Sequence, residues 1–375
     1  MQQKIDPWGK SEVEDYSRLM RDFGIEPFGN VLKKIRGPSL YMRRGVIFGH
    51  RDFARIAECM ASRKKFVMLT GLMPSGKFHL GHKMVADEFI YLQQHGAKTY
   101  ICVADIEAYN MRGKNLKELR ETAIEEYLLN YIALGLEPKN CEFYFQSRRS
   151  DDPEKSNAFY RTVGIVSRRV TMNEMKAIYG DLSPGKIISA LTQVADILHP
   201  QLPEFEGPVP TVVPVGVDQD PHIKLARDIA ARLNKTDHFR FVPPSSTYHK
   251  FMKGLGGGKM SSSDPLSYIA LTDDPKTVKE KIMKYAFSGG APTIKEHRES
   301  GGNPDVDVSF EMLYFMFEPD DKKIEKIRED YRSGALLTGE LKQILIEKIT
   351  SFLEEHQRKR ELARKKVGKF LKDGD

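Results

Sequence analysis

Two short segments combine residue types that could act on phosphate. In the first, Gly71-Leu72-Met73-Pro74-Ser75-Gly76-Lys77-Phe78 runs directly into His79-Leu80-Gly81-His82. At a helix N-terminus the unpaired backbone N–H groups and the helix dipole favour an anion, so His79 and His82 could donate hydrogen bonds to a phosphate there. Gly81 carries no side chain, which would let a planar base approach the backbone. Gly71, Gly76 and Lys77 have the spacing of a P-loop, the rival reading. Phe78 counts against it, because a P-loop needs a hydroxyl at that position to ligate magnesium. A zinc reading of the two histidines lacks a third ligand nearby.

The second segment is Gly254-Leu255-Gly256-Gly257-Gly258-Lys259-Met260-Ser261-Ser262-Ser263. Its glycines imply a mobile loop. Lys259 followed by the hydroxyls of Ser261, Ser262 and Ser263 implies an element that closes on phosphate oxygens and neutralises them.

These loops need a scaffold. Apolar runs at Phe66 to Leu69, Tyr100 to Ala104, Phe143 to Phe145 and Val212 to Val217 have the length of buried parallel strands. Helical spacing appears at Leu80 to Gln94, Leu116 to Leu134, Ile187 to Leu198 and Ile223 to Leu233. Alternation of the two predicts an α/β chain with a doubly wound, Rossmann-type parallel sheet. Ligands of such sheets bind beyond the carboxyl ends of strands, which directs attention to the loops after Leu69, Ala104 and Val217. Residues 1–60 read as an appended N-terminal element. Residues 61–268 read as the catalytic unit, with a connective insertion over about 106–200, and 269–375 as a C-terminal α-helical domain, whose last helix Thr338 would open with a hydroxyl cap.

The chain has 375 residues, 40% of them hydrophobic and 30% charged, and no apolar run approaches the ~20 residues of a membrane span. Its first residues lack the apolar core of a secretory signal, so a cytoplasmic location is expected. Cys59, Cys102 and Cys141 are dispersed and read as small buried residues rather than as a zinc or disulfide framework. A formal charge of +7 is compatible with a polyanionic partner.

Together, His79-Leu80-Gly81-His82 and Lys259-Met260-Ser261-Ser262-Ser263 resemble the HIGH and KMSKS signatures of class I aminoacyl-tRNA synthetases. Further segments resemble the tryptophanyl enzymes of archaea and eukaryotes across nearly the whole chain. They include Asp6-Pro7-Trp8, the stretch from Arg43 to Asp52, Val217-Asp218-Gln219-Asp220-Pro221, Ala286 to Gly290, Gly301 to Phe310 and Leu337 to Lys342.

The resemblance implies activation of an amino acid by ATP and its transfer to tRNA, with magnesium carried by the nucleotide and no dedicated protein metal site. It also implies a homodimer and a C-terminal domain that reads the anticodon. The implied catalytic residues are His79, His82, Lys259, Ser261 and Ser262. ATP would meet Thr70, Gly71, Pro74, Ser75, His79, Gly81, His82, Gly216, Val217, Asp218, Lys259 and Met260, with Asp218 on the ribose. L-Tryptophan would meet Leu69, Glu107, Gln193, Asp196 and Gln219. Its indole N–H requires a buried acceptor, for which Glu107 and Asp196 are the candidates. Leu69 and Gln193-Val194-Ala195-Asp196 keep tyrosine open as a second substrate. Arg148-Arg149 and Arg168-Arg169 are candidate contacts to tRNA(Trp) phosphates.

Overall fold

The runs Val67-Met68-Leu69 and Tyr100-Ile101-Cys102-Val103 are apolar on both faces, as strands covered by helices on two sides must be. A computed structural model, describing residues 15–258, 260 and 264–371, places them in the middle of a seven-stranded sheet. The strands are β1 (Glu26–Pro27), β2 (Ile47–Arg51), β3 (Val67–Leu72), β4 (Lys98–Val103), β5 (Cys141–Phe145), β6 (Thr211–Gly216) and β7 (Ser245–His249). Their order is β1-β2-β7-β6-β3-β4-β5. The five from β7 to β5 are parallel, and β1 and β2 extend the β7 edge antiparallel. The chain winds outward from β3 through β4 and β5, then crosses to β6 on the other side of β3. The crevice at that reversal is where a doubly wound sheet accepts ligands.

The four predicted strands correspond to β3, β4, β5 and β6, and the predicted helix Leu80 to Gln94 is present with those bounds. Three strands, β1, β2 and β7, were not read from the sequence. Ile47-Phe48-Gly49-His50-Arg51 is only two residues apolar before glycine, and Ser245-Ser246-Thr247-Tyr248-His249 carries no apolar pattern. All five residues of β7 are nevertheless buried. Burial is tolerated because the side chains find partners: Thr247 bonds Glu88, Tyr248 bonds Asp220, and Ser245 Oγ donates to the Asp52 carbonyl at 3.1 Å. Residues 26–27 and 47–51, expected to be appended to the catalytic unit, therefore complete its sheet. Likewise β5 lies within the stretch 106–200 and belongs to the sheet itself.

The C-terminal region is helical as expected, with Pro275–Tyr285, Asp321–Arg332 and Thr338–Ala363 as its longest helices. Thr338 does not cap the last of them. Leu337 is the N-cap residue, its N–H bonds the Glu340 carboxylate at 2.7 Å, and the Thr338 hydroxyl meets Tyr331 instead. Leu341, Leu345, Ile349 and Leu353 form one apolar stripe that is continuous with Phe89, Leu129 and Ile132 under the sheet, so a single hydrophobic core joins the two regions. A second core, including Leu69, Tyr100, Ala190, Val194 and Ile223, covers the opposite face.

Candidate active site

A cavity of about 490 Å³ opens at the β3/β6 reversal. One wall is the N-terminus of helix Leu80–Gln94. His79 is the N-cap residue: its Nδ1 accepts the Gly81 N–H at 3.1 Å, and His82 Nδ1 accepts the His79 N–H at 3.2 Å. Each ring thus caps the backbone with one nitrogen, and in the neutral ring the proton sits on Nε2. The rings stack at 3.8 Å between centroids. Burial pulls His79 down to about 4, and burial together with His79 pulls His82 well below the usual histidine value. Both are therefore neutral N–H donors near pH 7, not cations. Phe78, expected to exclude a P-loop, is packed edge-on against Tyr127 and Tyr131.

Gly81 is shaped by close neighbours. A Cβ there would lie 3.0 Å from His79 Cε1 and 3.4 Å from Met260 Sδ, so Met260 lies over the bare backbone. Across the cavity, β6 ends in Gly216 and a 3-10 turn, Val217–Gln219, leads into helix Asp220–Thr236. A Cβ on Gly216 would meet Asp218 Oδ1 at 2.6 Å, so the missing side chain leaves room for that carboxylate to fold back over the strand end. The helix has no side-chain cap at Gln219. Its start is pinned from behind: Arg51 from β2 bonds buried Asp220 through Nε at 2.7 Å and Nη2 at 2.9 Å.

The deep end is made of polar groups that hold one another. Tyr144 donates to Asp196 Oδ1 at 2.8 Å, and Gln146 Nε2 donates to Asp196 Oδ2 at 2.6 Å. Gln146 Oε1 accepts the Glu107 N–H at 3.4 Å, and Gln193 Nε2 donates to Glu107 Oε2 at 3.2 Å. Gln193 Oε1 is buried with no hydrogen-bond partner among the described residues. Burial pushes the Asp196 carboxyl up to about 6, although bonds from Gln146, Tyr144 and Cys102 and the charge of Arg149 oppose the rise. Arg149 itself is wholly buried, with its guanidinium 4.1 Å from the Tyr144 ring centroid and 4.6 Å from that of Phe205. It cannot reach a tRNA phosphate, contrary to expectation, and instead supports the tyrosine that holds Asp196. Of the other paired arginines, Arg148 bonds Asp151 and Arg169 bonds Asp237.

The cavity gathers Leu69, Thr70, Gly71, His79, Gly81 and His82 from the first motif region, and Gly216, Asp218, Gln219 and Met260 from the later ones. Glu107, Gln193 and Asp196 line it as well. Pro74, Ser75 and Val217 do not. Val217, the first residue of the 3-10 turn, packs into a satellite core with Leu19, Ile25 and Tyr248. Lys259, Ser261, Ser262 and Ser263 lie outside the described residues. Cys102, Gln146 and His222 line the cavity and were missed. Cys102 is paired in register with Gly71 on β3, and Gln146 follows β5. The strand-end argument applied to β3, β4 and β6 would have found Gln146 had it been extended to β5.

The profile of the class I tRNA synthetases (W and Y) matches residues 61–354. The chain belongs to this family. It is 47% identical over 366 residues to the tryptophan–tRNA ligase of Aeropyrum pernix, covering 96% of each chain. It is 46% identical to that of Hyperthermus butylicus, covering 98% of each. The crystal structure of tryptophanyl-tRNA synthetase from Aeropyrum pernix superposes with a TM-score of 0.90 at 46% identity, covering 98% of this chain and 99% of that one.

Proposed function

We propose that this chain is a tryptophan–tRNA ligase that joins L-tryptophan to ATP, releasing pyrophosphate, and then passes the tryptophanyl group from the adenylate to tRNA(Trp), releasing AMP. The observation that carries the reading is the pairing of two unlike ends in one cavity, alongside identity of 46–47% to two tryptophan–tRNA ligases over nearly the whole chain.

In the first step a carboxylate oxygen of tryptophan attacks the α-phosphorus and the bond to the pyrophosphate oxygen breaks. The attacking group is already an anion, so the protein's work is alignment and charge stabilisation. His79 and His82 turn Nε2–H groups towards the phosphates, supported by the helix N-terminus. Asp218 accepts from the ribose hydroxyls, while Thr70, Gly71 and Gly81 give the nucleotide backbone to lie against. Lys259 with Ser261 and Ser262 neutralises the departing pyrophosphate. Magnesium would come with the nucleotide and share the neutralisation of its phosphates.

Tryptophan occupies the deep end, with its indole against Leu69 and the N–H on Asp196 or Glu107. Gln193 Oε1 and Gln219 receive the ammonium and carboxylate region. In the second step the ribose hydroxyl of the terminal tRNA nucleotide attacks the carbonyl carbon and the bond to AMP breaks. The C-terminal region, whose exposed Arg358, Lys365, Lys366 and Lys369 face solvent, supplies the anticodon contact. In this reading residues 61–268 carry the chemistry and 269–375 the tRNA contact, with residues 26–27 and 47–51 of the N-terminal 60 completing the catalytic sheet. A homodimer fits the exposed apolar Tyr109, Tyr160 and Ile188, which stand on helices that pack on one another. No described helix is long and apolar enough to cross a membrane.

Pyrophosphate exchange with tryptophan and tyrosine side by side tests the reading. Exchange driven by tryptophan is expected; exchange driven by tyrosine alone overturns it.

A further inference from the structure

The helical stretch from Leu116 to Leu134 is not uniform. Between Leu116–Thr122 and Leu129–Leu134 it contains a π-helical turn, Ala123–Leu128, a geometry that is rare and concentrates at functional positions. Three consecutive residues on this turn reach different segments. Glu126 Oε2 accepts the backbone N–H of Phe78 at 3.3 Å. Tyr127 donates its hydroxyl to the Ser75 carbonyl at 2.8 Å, and its ring meets those of Phe78 and His82 edge-on. Glu125 faces the other way, where Arg364 Nη1 binds its two oxygens at 2.9 and 3.0 Å and Arg360 donates to its carbonyl at 2.6 Å.

The turn is also held through its backbone. Asn130, wholly buried, donates to the Glu126 carbonyl at 2.6 Å and receives a bond from His356 Nε2 at 2.7 Å. Thus helix Thr338–Ala363 and the segment just before His79 grip the same six residues from opposite sides. Apolar side chains would suffice if the turn served packing alone. A carboxylate aimed at one amide and a hydroxyl aimed at one carbonyl instead fix the path by which residues 75–78 deliver the histidine pair.

We propose that Glu126 and Tyr127 are positioning residues for the phosphate-binding histidines, and that the π turn bearing them is braced by the C-terminal helix through Glu125 and Asn130. The proposal rests on the reading of His79 and His82 as the ATP phosphate site. A displacement of ~1 Å at such a site costs on the order of 10²-fold in rate, so small changes on the turn have measurable effects.

The test uses the full-length chain with Glu126→Ala, Glu126→Gln, Tyr127→Phe and Arg364→Ala. In tryptophan-dependent pyrophosphate exchange, Glu126→Ala lowers kcat by about tenfold or more while the KM for tryptophan stays put. Glu126→Gln, which keeps an oxygen acceptor for the Phe78 amide, recovers most of the loss. Tyr127→Phe lowers kcat by a smaller factor, and Arg364→Ala smaller still. Hydrogen–deuterium exchange of peptides covering residues 70–82 provides a readout independent of turnover, and exchange there rises in Glu126→Ala. Unchanged kcat and unchanged exchange in Glu126→Ala overturn the proposal, as do equal losses in the Ala and Gln variants, or a tryptophan KM that moves as far as kcat. If the unmodified chain shows no exchange with tryptophan, the functional reading fails, while the deuterium measurement still decides whether the turn holds the loop.

Discussion

The two ends of the cavity are built by different means. The nucleotide end uses the chain locally: His79, Gly81 and His82 lie on one helical turn, and the rings that would meet phosphate are held by the backbone they cap. The amino-acid end uses residues from four separate segments: Leu69 lines it, and Glu107, Gln146 and Asp196 are joined by hydrogen bonds. The first end has neutral donors at a helix terminus. The second holds buried carboxyl groups whose charge is costly. An anion of any identity can be received by the former, while the latter selects, because an unpaired buried acceptor penalises the wrong ligand.

Substitutions at the two ends should therefore separate in kinetics. The largest effect is expected of His82→Ala, which removes an N–H donor and the ring that caps His79: kcat for adenylate formation falls by about 10²–10³-fold, with the tryptophan KM nearly unchanged in pyrophosphate exchange. If that KM rose in step, the ends would not be independent.

Next is Asp196→Asn. Losing a charged acceptor costs about 1.5–3 kcal/mol, or roughly ten- to hundredfold in the tryptophan KM, with the ATP KM unmoved. The carboxyl titrates at about 6 because burial raises it. Tryptophan affinity should therefore decline as the pH drops through 6, and Asp196→Asn should flatten that profile. The effect on folding has the opposite sign: the folded state holds the proton more tightly than the unfolded chain, so this group's contribution to stability grows as pH falls from about 6 towards 4. Isothermal titration of tryptophan between pH 5 and 8 measures the first effect, and thermal melts of the same samples the second.

The smallest effect is expected of Gly81→Ala. A methyl group gains helix propensity of about 1 kcal/mol but must fit 3.0 Å from His79 Cε1 and 3.1 Å from its Nδ1, so the His79 ring has to shift. The ATP KM should rise by roughly threefold to tenfold with the fold intact, and tryptophan binding should not change. A fall in melting temperature without a change in ATP KM would instead make Gly81 a packing glycine.

The same contrast explains what could be read from the chain alone. Local motifs are legible, so His79, Gly81, His82, Gly216 and Asp218 were named from spacing and resemblance, and the cavity gathers them. Leu69, Glu107, Gln193 and Asp196 followed the resemblance to the same cavity. Cys102 was passed over because a single cysteine in a strand has no pattern of its own; its place depends on register with β3. Gln146 was missed because the strand-end argument was not carried to β5, although its role in bridging two carboxyl-bearing segments depends on the fold. Arg149 was read as a candidate phosphate contact; its burial depends on partners that the fold brings together, the Glu142 carboxylate at 3.1 Å, His199 Nε2 at 2.9 Å and three aromatic rings around the guanidinium. β7 escaped for a related reason, since Ser245, Thr247 and Tyr248 are satisfied by Asp52, Glu88 and Asp220, all outside the strand.

The unbroken apolar stripe from Phe89 and Leu129 to Leu345 and Ile349 bears on how the molecule comes apart. Removing the last helix would bare the underside of the sheet rather than release an independent module. Heat should therefore melt the sheet and the C-terminal helices in one cooperative transition, and a protease would find no early cut that leaves a stable catalytic fragment. The region that meets the anticodon in the proposed function is, thermodynamically, part of the floor on which the chemistry stands.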